Sequence, residues 1–120
     1  MPPFQRLTDR EKTAIREALY AMAYGPFISD WELPIRCEVD RPGYRGIVDR
    51  WPDLDDTKQA PESSSESSVF YAINGALNIC CHAYEMEAEP WESWFTVTRE
   101  QLLAVYERWK TLHRESPSPT

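Results

Sequence analysis

Cys80, Cys81 and His82 follow one another directly, and thiols and imidazoles are side chains that serve as nucleophiles, bases and metal ligands. Neighbouring residues of a helix point about 100° apart, so the three side chains do not converge on one ion. Structural zinc sites use spaced pairs of ligands, and the chain has only three cysteines. We therefore predict no metal site and no catalytic residue, with Cys80 and Cys81 as small core side chains. One alternative stays open, in which a small helical enzyme or small-molecule binder uses Cys81 and His82 as an oriented pair.

The other titratable side chains favour structural roles. His113 lies near the end of the last helical segment, where a cation complements the helix dipole. Glu17, Asp49 and Glu107 lie outside the apolar stripes, so we expect them to be solvated. The chain contains no dinucleotide fingerprint, phosphate-binding loop or common hydrolase motif, so we expect no cofactor.

Residues 85–95 interleave four glutamates with a methionine and three large aromatic residues. An acidic rim around aromatic anchors is the composition expected of a surface that binds a basic protein. The opposing interpretation is that the aromatic rings close one end of a helical bundle while the glutamates are solvated. The predicted partner-binding residues are Glu85, Glu87, Glu89, Trp91, Glu92 and Trp94. The similar connection around Trp31 would extend this surface if both connections lie at one end of the bundle.

Composition bounds the function classes. The chain has 120 residues, is 42% hydrophobic, and carries a net charge of −7, enough apolar character for one folded domain. The charge opposes binding to nucleic acid, whose phosphates require a basic surface. No apolar run is long enough to span a bilayer, so we expect no membrane segment. Three cysteines, two of them adjacent, and an N-terminus without an apolar stretch predict a reducing, cytoplasmic location.

Four segments have the pattern of amphipathic helices. Thr8 and Glu11 form a capping box that begins the first, which Gly25 ends with a left-handed cap. Asp40 caps the second. The third begins near residue 67 or 68 and is the most apolar, and Thr98 caps the fourth with Gln101 as its partner. The predicted core residues are Ala14, Ile15, Ala18, Leu19, Met22, Tyr44, Ile47, Val48, Trp51, Phe70, Ile73, Leu77, Cys80, Cys81, Tyr84, Leu102, Val105, Tyr106, Trp109 and Leu112.

The segments between the helices define the domain organisation. Residues 1–7 are predicted as an N-terminal arm, residues 8–113 as one helical domain, and residues 114–120 as a disordered tail. Residues 27–38 are interpreted as an extended connection with one helical turn, because Pro34 interrupts an alternating apolar pattern. Residues 53–68 are acidic and rich in serine, a composition that predicts a mobile loop.

An internal repeat emerges when the chain is shifted against itself by 58 residues. Residues 8–51 and 66–109 then share eight identities in 44 positions, including an Arg-Trp pair at the end of both. Convergence of helical cores on Ala, Leu and Ile explains part of this match. A duplicated helix–connection–helix unit, with pseudo-twofold symmetry, explains it as well.

A nine-residue segment, Gly-Pro-Phe-Ile-Ser-Asp-Trp-Glu-Leu at residues 25–33, is followed by a helix ending in Arg-Trp-Pro at residues 50–52. This half of the chain resembles a group of uncharacterised small bacterial helical proteins, and its general profile is similar to immunity proteins of bacterial toxin systems. The chain departs from that pattern at Pro34 and Cys37. The resemblance implies a bacterial cytoplasmic protein and brings no catalytic residue with it.

These observations predict an all-α protein with a four-helix arrangement, monomeric or homodimeric, and favour a non-enzymatic role over an enzymatic one. The expected function is protein binding, with neutralisation of a basic partner, as immunity proteins and antitoxins do, as its sharpest form. A secretion-type chaperone or adaptor is an alternative, since such proteins are also small and acidic.

Overall fold

The helices were located in a computed structural model of the protein, which describes residues 2–25, 28–56, 69–82 and 91–115. Among these residues every regular element is helical, as predicted, and four of the five α-helices have nine residues or more. Two short 3-10 helices precede α1 and α5. The α-helices are α1 (Asp9–Tyr24), α2 (Leu33–Cys37), α3 (Arg41–Asp49), α4 (Val69–His82) and α5 (Arg99–Glu115); the 3-10 helices are Pro3–Arg6 and Trp91–Ser93.

The predicted helix starts are confirmed by their hydrogen bonds. The Thr8 hydroxyl accepts from the backbone N–H of Glu11 at 3.2 Å, and the Glu11 carboxylate accepts from the N–H of Thr8 at 2.9 Å. The same reciprocal pair joins Thr98 and Gln101 at the start of α5. Asp40 accepts from the N–H of Gly43 and caps α3. Each cap satisfies N–H groups that have no partner inside the helix.

The extended connection predicted for residues 27–38 is wrong for its second half, which forms α2. Pro34 lies in the first turn of α2, where its missing N–H interrupts no hydrogen bond. Glu38 then ends the helix in the left-handed region, with φ 61°. The alternating pattern was misleading because, within α2, the two buried residues are Leu33 and Cys37, one helical turn apart, whereas Ile35 between them is exposed.

The end of α1 also differs from its prediction. Gly25 has φ −83° and ψ 161°, so the chain leaves the helix in an extended rather than a left-handed conformation. Arg41 supplies hydrogen bonds that a left-handed cap would otherwise provide, since its guanidinium donates to the carbonyls of Met22 and Gly25. The chain therefore turns away from α1 around a side chain of α3.

Two pairs of contacts establish that α1 and α5 are antiparallel. Near the start of α1, Glu11 forms a salt bridge with Arg108 at 3.1 Å. Further along, Glu17 accepts from the N–H and the hydroxyl of Thr96, just before α5 begins. Glu17 is half-buried and, beyond the solvation predicted for it, its carboxylate fixes the entry to α5.

The other helices extend this arrangement. Phe70, at the start of α4, packs on Trp109 near the end of α5, so these two helices are also antiparallel. The Tyr44 hydroxyl of α3 donates to the carbonyl of Ala72 at 2.8 Å. A closer contact joins α2 to α4, where a Cβ placed on Gly75 would lie 2.7 Å from the Cβ and Sγ of Cys37. Glycine at this position lets the two backbones approach.

The apolar stripes converge on one core. Of the core residues predicted from sequence, all that are described are buried except Val48, Trp51, Phe70 and Val105, which are partly buried and pack against the core. Tyr84 lies outside the described residues. Nine of the fourteen residues of α4 are buried, which agrees with its prediction as the most apolar segment.

Both ends of the predicted domain contain more structure than expected. Residues 3–6 form a 3-10 helix whose Phe4 is fully buried, so this stretch packs on the domain rather than standing apart as an arm. Arg114 and Glu115 belong to α5, and residues 116–120 lie outside the described residues. In the acidic connection, Leu54 and Asp56 are buried. Residues 53–56 are therefore anchored to the core without forming a helix, residues 57–68 lie outside the described part, and the mobile loop stays a prediction.

The helix boundaries correspond at the offset of the internal repeat. A shift of 58 residues carries the last residue of α1 onto the last of α4, and the first residue of α3 onto the first of α5. The same shift places α2 over the 3-10 helix Trp91–Ser93. Duplication of a helical hairpin stays a prediction, since similar boundaries also arise by convergence.

None of the helices described here has the length and apolar composition needed to cross a membrane.

Candidate functional site

The predicted partner-binding segment is only partly described. Glu85, Glu87 and Glu89 lie outside the described residues, whereas Trp91, Glu92 and Trp94 lie in or directly after the 3-10 helix that precedes α5. Glu92 is exposed, and both tryptophans are partly buried. The two rings have different surroundings and so different roles.

Trp91 holds the chain in place before α5. Its ring stacks on Phe95 with centroids 4.0 Å apart, and its indole N–H donates to the carbonyl of Val97 at 2.6 Å. The guanidinium of Arg99 lies 5.2 Å from the ring centroid, a cation–π contact. The interpretation in which an aromatic residue closes the bundle fits Trp91.

Trp94 instead belongs to a row of rings along the last two turns of α1. Its centroid lies 6.3 Å from that of Tyr20, which in turn lies 4.8 Å from Tyr24. The two tyrosines are 41% and 46% exposed. Residues four apart on a helix lie on the same face, so the tyrosines form one continuous strip. We call Tyr20, Tyr24 and Trp94 the aromatic row.

A groove of about 510 Å³ runs beside the aromatic row. Its walls are Arg16, Glu17, Tyr20, Ser93 and Trp94. The Glu17 carboxylate accepts hydrogen bonds from Thr96, and these bonds hold the two walls of the groove together. The groove is therefore a formed surface feature with aromatic rings and one cation at its edge.

Two arginines of α3 border the other end of the row. Arg45 donates to the carbonyl of Ala23 at 3.0 Å and places its guanidinium 5.1 Å from the centroid of Tyr24. One turn earlier, Arg41 donates to the carbonyl of Ile28 and forms a salt bridge of 2.6 Å with Asp30. These contacts connect the aromatic row to the chain that leads into α2.

That chain exposes a second apolar pair. Trp31 is 69% exposed and Ile35 is 72% exposed, the highest values among the exposed large hydrophobic residues of the described chain. They are four residues apart, spanning the turn before α2 and α2 itself. We call Trp31 and Ile35 the α2 patch.

Asp56 is a buried carboxylate that sequence reasoning missed. It is 1% exposed and accepts three hydrogen bonds. The partners are the backbone N–H of Phe4 at 3.2 Å, the indole N–H of Trp109 at 2.7 Å and Nε2 of His113 at 2.8 Å. A buried carboxylate requires such partners, and this one joins the N-terminal turn, residues 53–56 and α5. His113 lies in the last turn of α5, as predicted, and its bond to Asp56 is an additional contact that the sequence did not predict.

The three cysteines are buried in the core. Cys37, Cys80 and Cys81 are free and buried, as predicted for the adjacent pair, whereas His82 is exposed. Burial raises the pKa of Cys81 to about 11 and raises the pKa of Cys80 further. The thiolate is the nucleophilic form, so burial disfavours the reactive form of both thiols at neutral pH. Within the described residues no three Cys, His, Asp or Glu side chains are arranged to hold a metal ion.

Three members of these surfaces were not singled out from sequence. Tyr20, Tyr24 and Ile35 lie outside the apolar stripes of their helices. Large apolar or aromatic side chains on the wrong face of an amphipathic helix are the signal that would have identified them.

The chain matches no protein-family model, no curated protein and no solved structure. Inference about function therefore rests on the residues of the chain itself.

Proposed function

We propose that this protein is a non-enzymatic protein-binding module that captures a basic partner on the aromatic row and on the acidic segment preceding Trp94. The exposure of Tyr20 and Tyr24 beside Trp94 is the observation that carries the proposal. Neutralisation of a basic toxin, in the manner of immunity proteins or antitoxins, is its sharpest form.

The aromatic row has the character of a binding surface. Tyrosine and tryptophan are enriched among residues that dominate binding energy, because they bury a large area with few rotatable bonds. The row is held by hydrogen bonds on both sides, through Glu17 to Thr96 and through Arg45 to Ala23. A surface already in its binding conformation loses little entropy on association.

Charge supplies the second argument. The net charge of −7 attracts a cationic protein over long distances and accelerates encounter. Glu92 is exposed next to the row, and Glu85, Glu87 and Glu89 precede it in sequence. Arg16 and Arg45 border the row as well, so the contact itself is mixed in sign. Carboxylates would govern the rate of capture, and the rings would govern its lifetime.

The enzyme alternative loses support from the state of the thiols. Cys81 is buried with a raised pKa, and His82 is exposed, so the pair lacks the activated thiolate that nucleophilic catalysis needs.

The test uses the protein as immobilised bait in lysate of its source organism, at low and at high salt, with mass spectrometry of what is retained. The proposal expects one basic protein that is released at high salt. That protein is then purified and its association measured by stopped flow or surface plasmon resonance. Retention of an acidic protein, or of none, contradicts the proposal. Binding of diverse extended peptides by a dimeric bait would instead indicate the chaperone or adaptor class.

Two variants separate the contributions of charge and rings. Reversing Glu85, Glu87, Glu89 and Glu92 to lysine is expected to slow association by roughly tenfold or more at low salt. Substituting Tyr20→Ser with Tyr24→Ser is expected to speed dissociation by a similar factor. Glu115→Lys is the matched control, because Glu115 is exposed at the end of α5 remote from the aromatic row. Unchanged rates and salt dependence in the reversed variant would refute the role of the glutamates.

A further inference from the structure

We infer that the α2 patch is a second docking surface, for a segment of the partner that carries apolar side chains between basic ones. The inference rests on the proposed function, since it names a further contact and a sequence character for the same class of basic partner. It concerns residues on the opposite half of the chain from the predicted acidic segment.

The exposure of the pair is the first argument. Trp31 and Ile35 are each about 70% exposed, at 69% and 72%, and are one helical turn apart. Together they present apolar area on the order of 300 Å², the size at which a patch on a soluble protein is often functional. Single exposed apolar residues are ordinary, whereas two large ones exposed to this extent only four residues apart are unusual.

The rigidity of the support is the second argument. Cys37 packs against Gly75 of α4, and Leu33 is fully buried, so the opposite face of α2 is fixed to the core. Asp30 is held by Arg41 at 2.6 Å directly before Trp31. Pro34 removes conformational freedom from the first turn. The patch is thus presented on a fixed element rather than on a loose loop.

Charge identifies the occupant. Residues 30–41 contain four carboxylates and two arginines. The Arg41 side chain is only 11% exposed and is engaged with Asp30, and Arg36 pairs with Glu32 at 3.4 Å. Glu38 and Asp40 are exposed and leave the surroundings of the patch acidic. Lysine or arginine on either side of an apolar anchor fits this surface, whereas an anionic membrane or a nucleic acid is repelled.

The test titrates uniformly ¹⁵N-labelled full-length protein with three synthetic peptides of equal length. One has leucine and lysine at helical spacing, one has serine in place of every leucine, and one has glutamate in place of every lysine. The readout is the indole N–H resonance of Trp31, identified by its loss in Trp31→Phe. We expect the leucine–lysine peptide to shift this resonance saturably and the other two to leave it in place. If the serine–lysine peptide shifts the Trp31 resonance as much as the leucine–lysine peptide does, the proposal is overturned, because charge alone would then explain the binding.

Variants locate the binding, with affinities measured by calorimetric titration because a variant without Trp31 lacks its resonance. Trp31→Ser with Ile35→Ser is expected to weaken binding of the leucine–lysine peptide at least tenfold, and Glu115→Lys to leave its affinity unchanged. Circular dichroism and thermal melts check that the exposed substitutions preserve the fold. The patch could instead bind a second copy of this chain. The Trp31 resonance would then shift, and the sedimentation coefficient would rise, as the protein concentration increases without peptide; that result overturns the proposal.

The design also distinguishes the two proposals. Both double variants are tested against the basic protein captured by the bait. If Tyr20→Ser with Tyr24→Ser loses binding while Trp31→Ser with Ile35→Ser binds fully, only the α2 patch is refuted. The reverse pattern refutes the aromatic row and keeps the α2 patch. Loss of binding in both variants supports one continuous docking surface around the end of α1.

Discussion

Substituting Asp56→Asn tests the buried network with little change in side-chain volume. Asp56 accepts from Phe4 through one oxygen and from Trp109 and His113 through the other. Asparagine has one acceptor oxygen and one donor nitrogen. In either orientation of the amide, its NH₂ group therefore faces at least one donor that it cannot accept from.

The expected cost follows from the hydrogen bonds lost. With the amide oxygen turned toward Trp109 and His113, the buried N–H of Phe4 loses its acceptor, at about 1–3 kcal/mol. The two remaining bonds lose a charged acceptor, which is worth about 0.5–1.5 kcal/mol for each. We expect the free energy of unfolding to fall by about 2–6 kcal/mol, a large share of the stability of an ordinary domain.

Urea denaturation at pH 7, followed by circular dichroism and tryptophan fluorescence, measures this difference. Asp53→Asn is the matched control, since Asp53 lies in the same segment and is exposed; its effect should stay within about 0.5 kcal/mol. A stability of Asp56→Asn equal to that of the control would refute the assignment of Asp56 as the buried acceptor. A changed m-value would instead indicate a different denatured or native state.

Two further predictions concern the core. Gly75→Ala is expected to destabilise the protein by about 1–3 kcal/mol, because its Cβ would lie 2.7 Å from Cys37. Gly46→Ala is the control, because a Cβ at Gly46 meets nothing within 4 Å, and it should instead stabilise the protein by about 0.5–1 kcal/mol. If urea denaturation gives the same change in stability for both variants, the close contact between Gly75 and Cys37 is contradicted. Cys81 should resist alkylation by iodoacetamide at pH 7 in the native protein and react readily in urea, since burial raises its pKa to about 11. The raised pKa favours the protonated thiol in the folded state, so its stabilising contribution is complete below the ordinary value of 9.0 and is lost as the pH rises toward 11.

The features predicted correctly from sequence depend on residues close together in the chain. The capping boxes at Thr8 and Thr98 use partners three residues away, and both form as predicted. The core stripes follow from the helical period, which decides which side chains share a face. Local signals of this kind survive in almost any tertiary arrangement.

The features missed depend on distant partners or on very short elements. The partners of Asp56 lie 52, 53 and 57 residues away, so nothing near it in sequence distinguishes it from the other acidic residues of its segment. Helix α2 has five residues, too few for a helical period to stand out against alternation. Trp94 was predicted as a contact, but its neighbours Tyr20 and Tyr24 are known only once α1 and α5 are packed.

The three bonds to Asp56 have a consequence for how this domain can be tethered. Phe4 and His113 bind the same carboxylate, so the first and last parts of the described chain meet at one pole of the domain. The aromatic row lies at the other end of α1, whose 16 residues span about 24 Å. A fluorescent reporter or a surface anchor attached beside Phe4 or beside His113 would therefore lie at the pole remote from the row, and a domain immobilised there would present its aromatic face outward.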